Sequence, residues 1–422
     1  MKEKLAIIGT GIAGMGVAHF LQHKYELTLF EKNSYIGGHS NTVDVSEDGN
    51  SVAVDTGFIV YNEVTYPNLT RLFKELNVPT KNSNMSFSVQ HKPTGLEFCG
   101  SGIDGLFAQR KNFFNLRYYR LLYNINRFNK QAPTILNQEE NKNLTLKEFI
   151  KKFNYHPDLL EFYLIPMSSA VWSTPINKML DFPAYTLIRF FYNHGFLGLN
   201  TQHQWKTVVG GSRTYVNLLT NPFKDKILLN TPVQRVTRES NKVKVTANGK
   251  DYTFNKLVFA CHADQVLNCF ENPSEEEREV LSKFHYESNL ATLHTDSSVM
   301  PTIRKAWSSW NYRVESKSDG TWRDSNLVYW MNSLQGVSQK QNYFVSINDL
   351  NLVRENLVLK KIIYEHPLFT VESMQAQQKL PSLNGKSNVY YCGSYFRYGF
   401  HEDAFLSSVN LSEILLGQKP WN

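Results

Sequence analysis

The chain opens with an apolar stretch that three closely spaced glycines interrupt. In "LAIIGTGIAGMGVAHFL" these are Gly9, Gly11 and Gly14, which have the spacing G-x-G-x-x-G. A secretory signal needs an unbroken apolar run, so the glycines argue against one. A short apolar strand precedes them, residues 12–22 have helical spacing, and "ELTLF" (26–30) indicates a second strand. The stretch is therefore predicted to form the strand, turn, helix and second strand that open a nucleotide-binding domain.

Each glycine of this motif has a predicted task. Gly9 permits the tight turn, Gly11 lets the backbone approach a pyrophosphate, and Gly14 lets the helix pack closely on the strand. The amino terminus of the helix then faces the phosphates. Glu31 lies 22 residues after Gly9, where a carboxylate can accept hydrogen bonds from a ribose. The residues predicted to bind the dinucleotide here are Gly9, Gly11, Ile12, Ala13, Gly14, Glu31 and Lys32.

Two further glycine-containing stretches follow Glu31. The first, "KNSYIGGHSNTV", has Gly37 and Gly38, and the second, "VAVDTGFIVY", has Gly57. A nicotinamide enzyme has no need of these additional sites of close backbone approach, whereas a long, buried FAD must pass several loops. The pattern therefore favours FAD, with contacts predicted at Gly37, Gly38, His39, Thr56, Gly57 and Phe58.

Three later stretches extend the pattern to the end of the chain: "WKTVVGGSRTYVNLL" (205–219), the run from "TPVQRV" to "KLVFACHAD", and "VYYCGSYFRYGFHEDAFLSSVNLSEIL" (389–415). With the first motif they resemble the flavin-containing amine oxidase superfamily, which includes phytoene-desaturase-like and protoporphyrinogen-oxidase-like enzymes. The resemblance implies that the backbone of Val233 holds the adenine edge. It also implies a helix that begins near Glu402 and points its amino terminus at the flavin, where its dipole stabilises negative charge. The flavin contacts implied at this end are Gly393, Glu402, Asp403 and Ala404.

A closer resemblance rests on "WSTP", "GGSRTYV" and "YGFHEDAF". These stretches are similar to the predicted FAD-binding oxidoreductases that are often encoded beside, or fused to, cyclopropane-fatty-acyl-phospholipid synthases. By association alone, this resemblance implies an acyl-lipid substrate and a functional link to a cyclopropane-fatty-acid synthase.

The superfamily resemblance implies an α/β fold, with a Rossmann-like FAD-binding domain of the amine oxidase type that is discontinuous in sequence. This domain is expected at residues 1–80, 205–287 and 385–422. A mixed sheet-and-helix (α+β) substrate domain is expected at residues 81–204 and 288–384. The first of these segments is predicted to be helical, because "NLTLKEF" has capping-box spacing and "AYTLIRFFYNHG" repeats apolar residues at helical intervals. The second, with "NLVYWMN" and "NYFVSIN", is predicted to be rich in strands.

Aromatic residues supply the candidates for a substrate pocket: Trp172, Tyr398 and Phe400. Aligned through "GFHEDA", Phe400 matches one of the two aromatic residues that cage the substrate amine in amine oxidases. The alternative, that each of the three residues belongs to the core, stays open.

The chain departs from the amine oxidases at one strand. Many of them carry a lysine that holds a water near the flavin, on the strand that corresponds here to "SNLATLHTD" (288–296), and this stretch has no lysine. Amine oxidation therefore loses support. His294, Cys261, His262 and His401 are expected to be structural. No catalytic base is assigned, because the sequence places no carboxylate against a substrate hydrogen.

Length and composition limit the classes of protein to which the chain can belong. A chain of 422 residues with 41% hydrophobic residues is typical of a globular protein of two or three domains. No apolar run approaches the roughly 18 to 20 residues needed to span a bilayer. The four cysteines form no C-x-x-C pair and no cluster with histidine, so no metal site is expected and a reducing compartment is compatible. We expect a cytoplasmic protein.

The net charge of +7 is modest and does not by itself indicate a nucleic-acid partner. Residues 107–130, however, contain six cations, seven aromatic residues and no acid. The segment is either a core-packing helix with a solvated basic face or a helix that lies on an anionic membrane, peripheral to its inner face. Both alternatives stay open. A nucleic-acid partner is not expected, because no binding fold accompanies the charge.

Only one G-x-G-x-x-G occurs in the chain. A flavoprotein reductase normally carries a second nucleotide-binding module for NAD(P)H, so this pattern favours a flavin that the substrate itself reduces. The leading hypothesis is an FAD-dependent oxidoreductase that removes hydride from an apolar, lipid or fatty-acyl substrate, with the cofactor supplying the chemistry. The first alternative is oxidation of a small amine. The second is a flavin-bound protein that assists a lipid-modifying enzyme and does not itself catalyse a reaction.

Overall fold

A parallel sheet begins with the apolar strand at the amino terminus. The computed structural model of the protein describes residues 2–198, 201–316 and 323–421. The strands in these residues are β1 (Lys4–Ile8), β2 (Glu26–Phe30), β3 (Thr42–Glu47), β4 (Asn50–Asp55), β5 (Tyr61–Asn62), β6 (Thr80–Ser83), β7 (Phe87–His91), β8 (Leu96–Cys99), β9 (Trp205–Val208), β10 (Ile227–Leu228), β11 (Val233–Arg238), β12 (Val243–Ala247), β13 (Lys250–Phe254), β14 (Lys256–Phe259), β15 (His285–His294), β16 (Trp310–Ser316), β17 (Arg323–Trp330), β18 (Phe344–Ile347), β19 (Val358–Leu368) and β20 (Val389–Tyr391).

The α-helices in the same residues are α1 (Ile12–Leu21), α2 (Pro67–Glu75), α3 (Gly102–Leu106), α4 (Leu116–Ile135), α5 (Leu146–Lys152), α6 (Pro157–Leu159), α7 (Ile165–Trp172), α8 (Ile176–Met179), α9 (Ala184–Asn193), α10 (Arg213–Thr220), α11 (Ala263–Cys269), α12 (Glu275–Leu281), α13 (Met331–Leu334), α14 (Val371–Gln377), α15 (Leu380–Leu383) and α16 (His401–Leu416).

The parallel sheet has the strand order β10-β2-β1-β14-β20, and all four of its pairings are parallel. Its strands come from the beginning, the middle and the end of the chain. β1 is apolar because the sheet is covered on both faces, and Leu5, Ala6 and Ile7 are fully buried. Ile8 lies beside Phe30 of β2 and Phe259 of β14, so the carboxyl ends of these strands meet at one edge. This is the edge at which open α/β sheets bind ligands. The predicted fold class is confirmed, and the domain limits stay a prediction.

A second sheet has seven strands in the order β19-β15-β18-β17-β16-β7-β8. Helices α3 to α9 lie between β8 and the strand β9 along the chain. The capping box predicted in "NLTLKEF" forms at the start of α5, where Thr145 and Glu148 exchange hydrogen bonds. The sequence did not predict that β7 and β8 join this sheet, because the partner of β7 is β16, far along the chain. The remaining strands form a hairpin (β3 and β4), the sheet β5-β9-β6 and the meander β11-β12-β13.

The basic and aromatic segment 107–130 is not one helix. A 3-10 turn spans Arg110–Phe114, and α4 begins after Asn115, whose side chain accepts hydrogen bonds from two N–H groups of the first turn. Helical spacing places Phe114 on the same apolar face as Tyr118, but Phe114 precedes the cap and is 92% exposed. Tyr118, within α4, lies in the core. No helix in the described ranges is long and apolar enough to cross a bilayer.

Candidate cofactor and substrate cavity

A cavity of about 830 Å³ lies at the edge where the carboxyl ends of β1, β2 and β14 meet. One wall is the glycine motif between β1 and α1. The other walls come from β19, from the ends of α7 and α9, and from the start of α16. The cavity therefore runs from the parallel sheet to the helices and the second sheet, and a long ligand could contact all of them.

The glycine motif leaves space for a ligand beside its second glycine. Gly11 lines the cavity, and a Cβ added to it would meet no atom within 4 Å. No side chain in the described part of the chain caps the amino terminus of α1, so its first N–H groups suit an anion. Gly14 does not line the cavity. An added Cβ on Gly14 would overlap the carbonyl oxygen of Gly9, so the glycine is needed for the close packing of α1 against the turn. With Ile12 and Ala13 also in the lining, this wall fits a pyrophosphate.

Hydrogen bonds from the protein hold the carboxylate of Glu31 in place without a ligand. The N–H and the hydroxyl of Thr10 donate to one oxygen at 3.1 and 2.6 Å, and the N–H of Asn33 donates to the other at 2.9 Å. Glu31 is buried. It lines the cavity together with Lys32 and Val233. A carboxylate accepts about four hydrogen bonds, so Glu31 can still accept from ribose hydroxyls. This end of the cavity fits the nucleoside part of a dinucleotide.

The second glycine turn packs against the first. A Cβ on Gly38 would lie 3.3 Å from Cα of Gly11, and one on Gly57 would overlap the carbonyl oxygen of His39. The residues of this turn and its neighbour that line the cavity are Gly37, Gly38, His39, Gly57 and Phe58. Thr56 is not among them. Its hydroxyl donates to the Asn41 carbonyl at 3.1 Å and bonds the Tyr364 hydroxyl at 2.8 Å, so the side chain holds the loop, and a cofactor contact at Thr56 stays a prediction.

The start of α16 also differs from the prediction in detail. Gly393 and Ala404 line the cavity, whereas Glu402 and Asp403 do not. The carboxylate of Glu402 accepts from the N–H groups of Asn68 and Leu69, which are the first in α2. That of Asp403 accepts from the backbone N–H of Phe400 at 3.0 Å. Both carboxylates are therefore helix caps, and at these two positions only the backbone remains for a cofactor.

Beyond α16 the cavity has an aromatic end. Ring centroids of Phe400 lie 4.7 Å from Phe190 and 5.9 Å from Trp172, and those of Phe190 and Trp172 are 4.9 Å apart. Trp172 is held by its indole N–H, which donates to the Tyr398 carbonyl at 3.1 Å. Tyr398 contributes through this backbone contact and is not among the residues that line the cavity, so its role as a pocket residue stays a prediction. We use the name aromatic end for Trp172, Phe190 and Phe400 together with the lining residues Tyr66, Met85, Val171, Phe196 and Trp205; the described lining also includes the aromatic residues Trp310 and Tyr329.

The histidines that line the cavity are His39, His262, His366 and His401. His401 is held by its Nε2, which lies 2.7 Å from the Tyr215 hydroxyl, and by stacking on Phe58 with centroids 3.8 Å apart. Burial lowers the pKa of His401 to about 3 and that of His366 to about 4, and it lowers the pKa of His39 well below the ordinary value. These three imidazoles are neutral at physiological pH. Carboxylate and ammonium groups among the described lining residues come from Glu31, Lys32 and Glu365.

His294 is structural, as predicted. It is fully buried, its Nε2 bonds the Ser346 hydroxyl at 2.8 Å, and its Nδ1 accepts from the N–H of Asp296 at 3.1 Å. Its strand β15 contributes no described residue to the cavity, and the neighbouring β19 contributes Tyr364 and others instead. Cys261, His262 and His401, which are expected from the sequence to be structural, all line the cavity, and that expectation stays a prediction.

The sequence reasoning missed the residues that complete the aromatic end and the neighbouring wall. Phe190 and Phe196 lie in and after a helix that was predicted only from its apolar spacing, and Trp205 begins β9. Tyr364 and His366 lie on an edge strand. The only local signal was the density of aromatic residues in "LIRFFYNHGF", which core packing explains equally well.

Comparison with known proteins gives one family and one fold. The chain matches the family model "flavin containing amine oxidoreductase" over residues 12–300. A comparison with curated proteins finds no match. The fold is similar to that of the CLA-producing fatty acid isomerase from P. acnes, with 15% identity, 98% of each chain covered and a TM-score of 0.70.

Two other solved structures share the fold. The cyclohexylamine oxidase from Brevibacterium oxydans IH-35A is 13% identical, with 99% of this chain and 100% of that one covered and a TM-score of 0.69. A variant of putrescine oxidase with redesigned cofactor binding is 12% identical, with 99% of each chain covered and a TM-score of 0.69. The structural likeness covers the parallel sheet, the helices and the second sheet alike.

Proposed function

This chain belongs to the flavin-containing amine oxidoreductase family, whose members bind FAD, and on that premise we propose that it is an FAD-dependent oxidoreductase that acts on an apolar, lipid-derived acyl substrate. FAD, when bound, accepts a hydride equivalent and passes electrons to an acceptor. The glycine motif and Glu31 would hold its pyrophosphate and ribose. The backbone at the start of α16 would approach the flavin, and the partial positive charge of that helix terminus favours negative charge there.

The observation that carries this proposal is where the charged lining residues lie, among those described: Glu31 and Lys32 are at the dinucleotide end, and Glu365 contacts His262 and Gln265. An alkylamine is a cation at neutral pH, and removing an unpaired ion from water costs several kcal/mol. A cation–π contact returns about 0.5–2 kcal/mol. An acyl chain, by contrast, gains about 0.8 kcal/mol for each CH₂ group that the rings bury. The aromatic end therefore suits an acyl chain better than an ammonium group.

The side chains of this chain would position the substrate. The rings of Trp172, Phe190 and Phe400 would confine an acyl chain beside the start of α16 and exclude water from it. Since Trp172 is fixed by its hydrogen bond to the Tyr398 carbonyl, this wall is held in place before substrate binds, which lowers the entropic cost of orientation. No carboxylate among the described residues lies in the aromatic end, so we assign no catalytic base.

We expect acyl lipids to bleach the absorbance of the bound flavin under anaerobic conditions. Flavin-loaded protein would be mixed with free fatty acids, with acyl phospholipids and with alkylamines in separate stopped-flow experiments. Bleaching by an acyl lipid, with a product two hydrogens lighter by mass spectrometry, supports the proposal. Bleaching by amines alone would favour amine oxidation, and bleaching by neither would favour a flavin-bound partner without turnover.

NADH and NADPH are expected to reduce the flavin slowly or not at all. The sequence has a single G-x-G-x-x-G, and its turn would be filled by the pyrophosphate of FAD, which leaves no second phosphate turn of this kind. Anaerobic mixing with each nucleotide, followed by flavin absorbance, measures the rate. Reduction as fast as turnover with the acyl substrate would contradict the proposal and indicate a reductase.

A further inference from the structure

Exposed hydrophobic side chains are concentrated in one short part of the surface. Among the described residues, fourteen large hydrophobic side chains are exposed, and six of them lie between positions 103 and 123. Single exposed apolar residues are normal, whereas a cluster of them marks an interaction site. These six form the aromatic patch: Ile103, Phe113, Phe114, Leu116, Tyr119 and Tyr123.

The fold beneath the aromatic patch is complete without these side chains. Tyr118 and Leu121 on the inner face of α4 are each 2% exposed and pack with Phe107 and Phe162. The Tyr118 hydroxyl donates to the Leu106 carbonyl at 2.6 Å. The outer side chains protrude in contrast, with Phe114 92% and Leu116 85% exposed. Phe113 and Tyr119 also touch the core, because their ring centroids lie 4.2 and 5.9 Å from that of Phe107. The exposure of Phe114 and Leu116 is therefore the part of the patch that core packing does not explain.

Positive charge accompanies the aromatic patch. Arg110, Lys111, Arg117 and Arg120 alternate with its rings, and the single acid between positions 103 and 130 is Asp104, which Arg110 and Lys305 contact. Asp158, from outside this range, pairs with Arg117 and Arg120, so the four cations face two carboxylates and the net charge is positive. A two-fold contact between two copies of the patch would bring these cations together, and like charges oppose such a contact. An anionic phospholipid surface attracts the cations and offers the rings an interface to enter.

We propose that the aromatic patch docks reversibly on an anionic phospholipid bilayer. One helical stretch connects the patch with the cavity. Phe162 packs beneath the patch in a π-helical turn, Leu160–Leu164, which continues into α7. The last residues of α7, Val171 and Trp172, line the aromatic end. As a route for an acyl substrate, docking rests on the proposed function. The binding itself depends only on the patch and its charge.

Vesicle co-sedimentation tests the proposal with the flavin-loaded protein. Vesicles of phosphatidylglycerol mixed with phosphatidylcholine should bind the protein at low salt, and high salt should weaken binding by roughly tenfold or more because it screens the cations. Phe114→Ser combined with Leu116→Ser should weaken binding by roughly tenfold or more. So should Lys111→Gln combined with Arg120→Gln. Arg117 is left intact, because it makes a two-point contact with the buried carboxylate of Asp158 at 2.9 and 2.8 Å, whereas Arg120 reaches the same carboxylate through one atom at 3.5 Å.

Matched controls make the same kinds of substitution at surface positions outside the aromatic patch. Val64→Ser with Ile414→Ser removes exposed hydrophobic side chains outside the aromatic patch, and Lys283→Gln with Lys419→Gln removes two cations outside it. Both controls should bind vesicles as the wild type does, and every variant should keep its flavin content.

Two results would overturn the proposal. One is a wild-type protein that ignores anionic vesicles at low salt. The other is a wild-type dimer in solution that Phe114→Ser with Leu116→Ser dissociates, which would make the patch an interface between copies. Vesicle binding with amines as the only reducing substrates would leave the docking surface in place and contradict the proposed function alone.

Discussion

Protein carrying Gly11→Val is expected to purify without its yellow cofactor. Gly11 has φ −63° and ψ 174°, an extended conformation that any residue adopts, so valine would not strain the backbone. Its side chain would instead fill the space where an added Cβ meets no protein atom within 4 Å. Because the pyrophosphate of FAD must approach this backbone, we expect affinity to fall by about a hundredfold or more, or at least about 2.7 kcal/mol.

The flavin-to-protein absorbance ratio and the melting temperature together check this result. Gly100→Val is the matched control, because Gly100 lies outside the cavity lining and an added Cβ there would meet only the Phe87 carbonyl at 3.9 Å. The control should keep full flavin occupancy. After the flavin is removed from the control, the two apoproteins should melt within a few degrees of each other, since the valine at position 11 changes the start of α1 without burying any further side chain. Full occupancy in Gly11→Val protein would refute the assignment of this turn to the phosphates.

The sequence predicts the dinucleotide end of the cavity well because its chemistry is local. The strand, the turn and the helix that bear Gly9, Gly11 and Gly14 are contiguous. An added Cβ on Gly14 would overlap Gly9 in the same turn, one on Gly9 would meet Ala260 just after the adjacent strand β14, and Gly11 is left bare toward the cavity. Glu31 follows at the end of the adjacent parallel strand, so its position is set by the same unit. One short stretch of chain therefore determines this wall.

The start of α16 was predicted less well, for a reason that its hydrogen bonds explain. The residues in "GFHEDAF" were interpreted as flavin contacts from a resemblance, which does not separate side chain from backbone. Glu402 caps α2, a helix more than 300 residues earlier, and Asp403 caps its own helix. Acidic residues in a first helical turn commonly serve as caps. The resemblance thus identified the helix, while the roles of its carboxylates follow from packing that the sequence does not display.

The aromatic end could not be assembled from the sequence at all. Phe190, Trp205 and Phe400 come from three separate parts of the chain, and each alone is as consistent with a core as with a pocket. They line the same cavity only because the sheet β5-β9-β6, helix α9 and helix α16 pack around it. The same limit applies to the aromatic patch, for which the sequence left a core-packing helix and a membrane-facing helix open; Phe114 precedes α4 and faces solvent.

Replacing Phe400 by Asn is expected to abolish most acyl-substrate binding while the protein keeps its FAD. Phe400 immediately precedes α16, and Asn is among the preferred residues at that position, so the helix start should survive the change. The cavity would lose a ring that lies 4.7 Å from Phe190. Full burial of such a side chain against an apolar partner is worth about 1.5–3 kcal/mol, so we expect KM for the acyl substrate to rise by roughly tenfold to a hundredfold.

Tyr398→Asn is the matched control for this change, because Tyr398 is an aromatic residue two positions earlier that does not line the cavity. Its carbonyl, which holds Trp172, belongs to the backbone and is kept in the variant. We expect its KM for the acyl substrate to stay within a few-fold of the wild-type value. Equal losses in both variants would show that the loop before α16 acts as a whole, whereas an unchanged KM in Phe400→Asn protein would place the acyl chain away from the aromatic end.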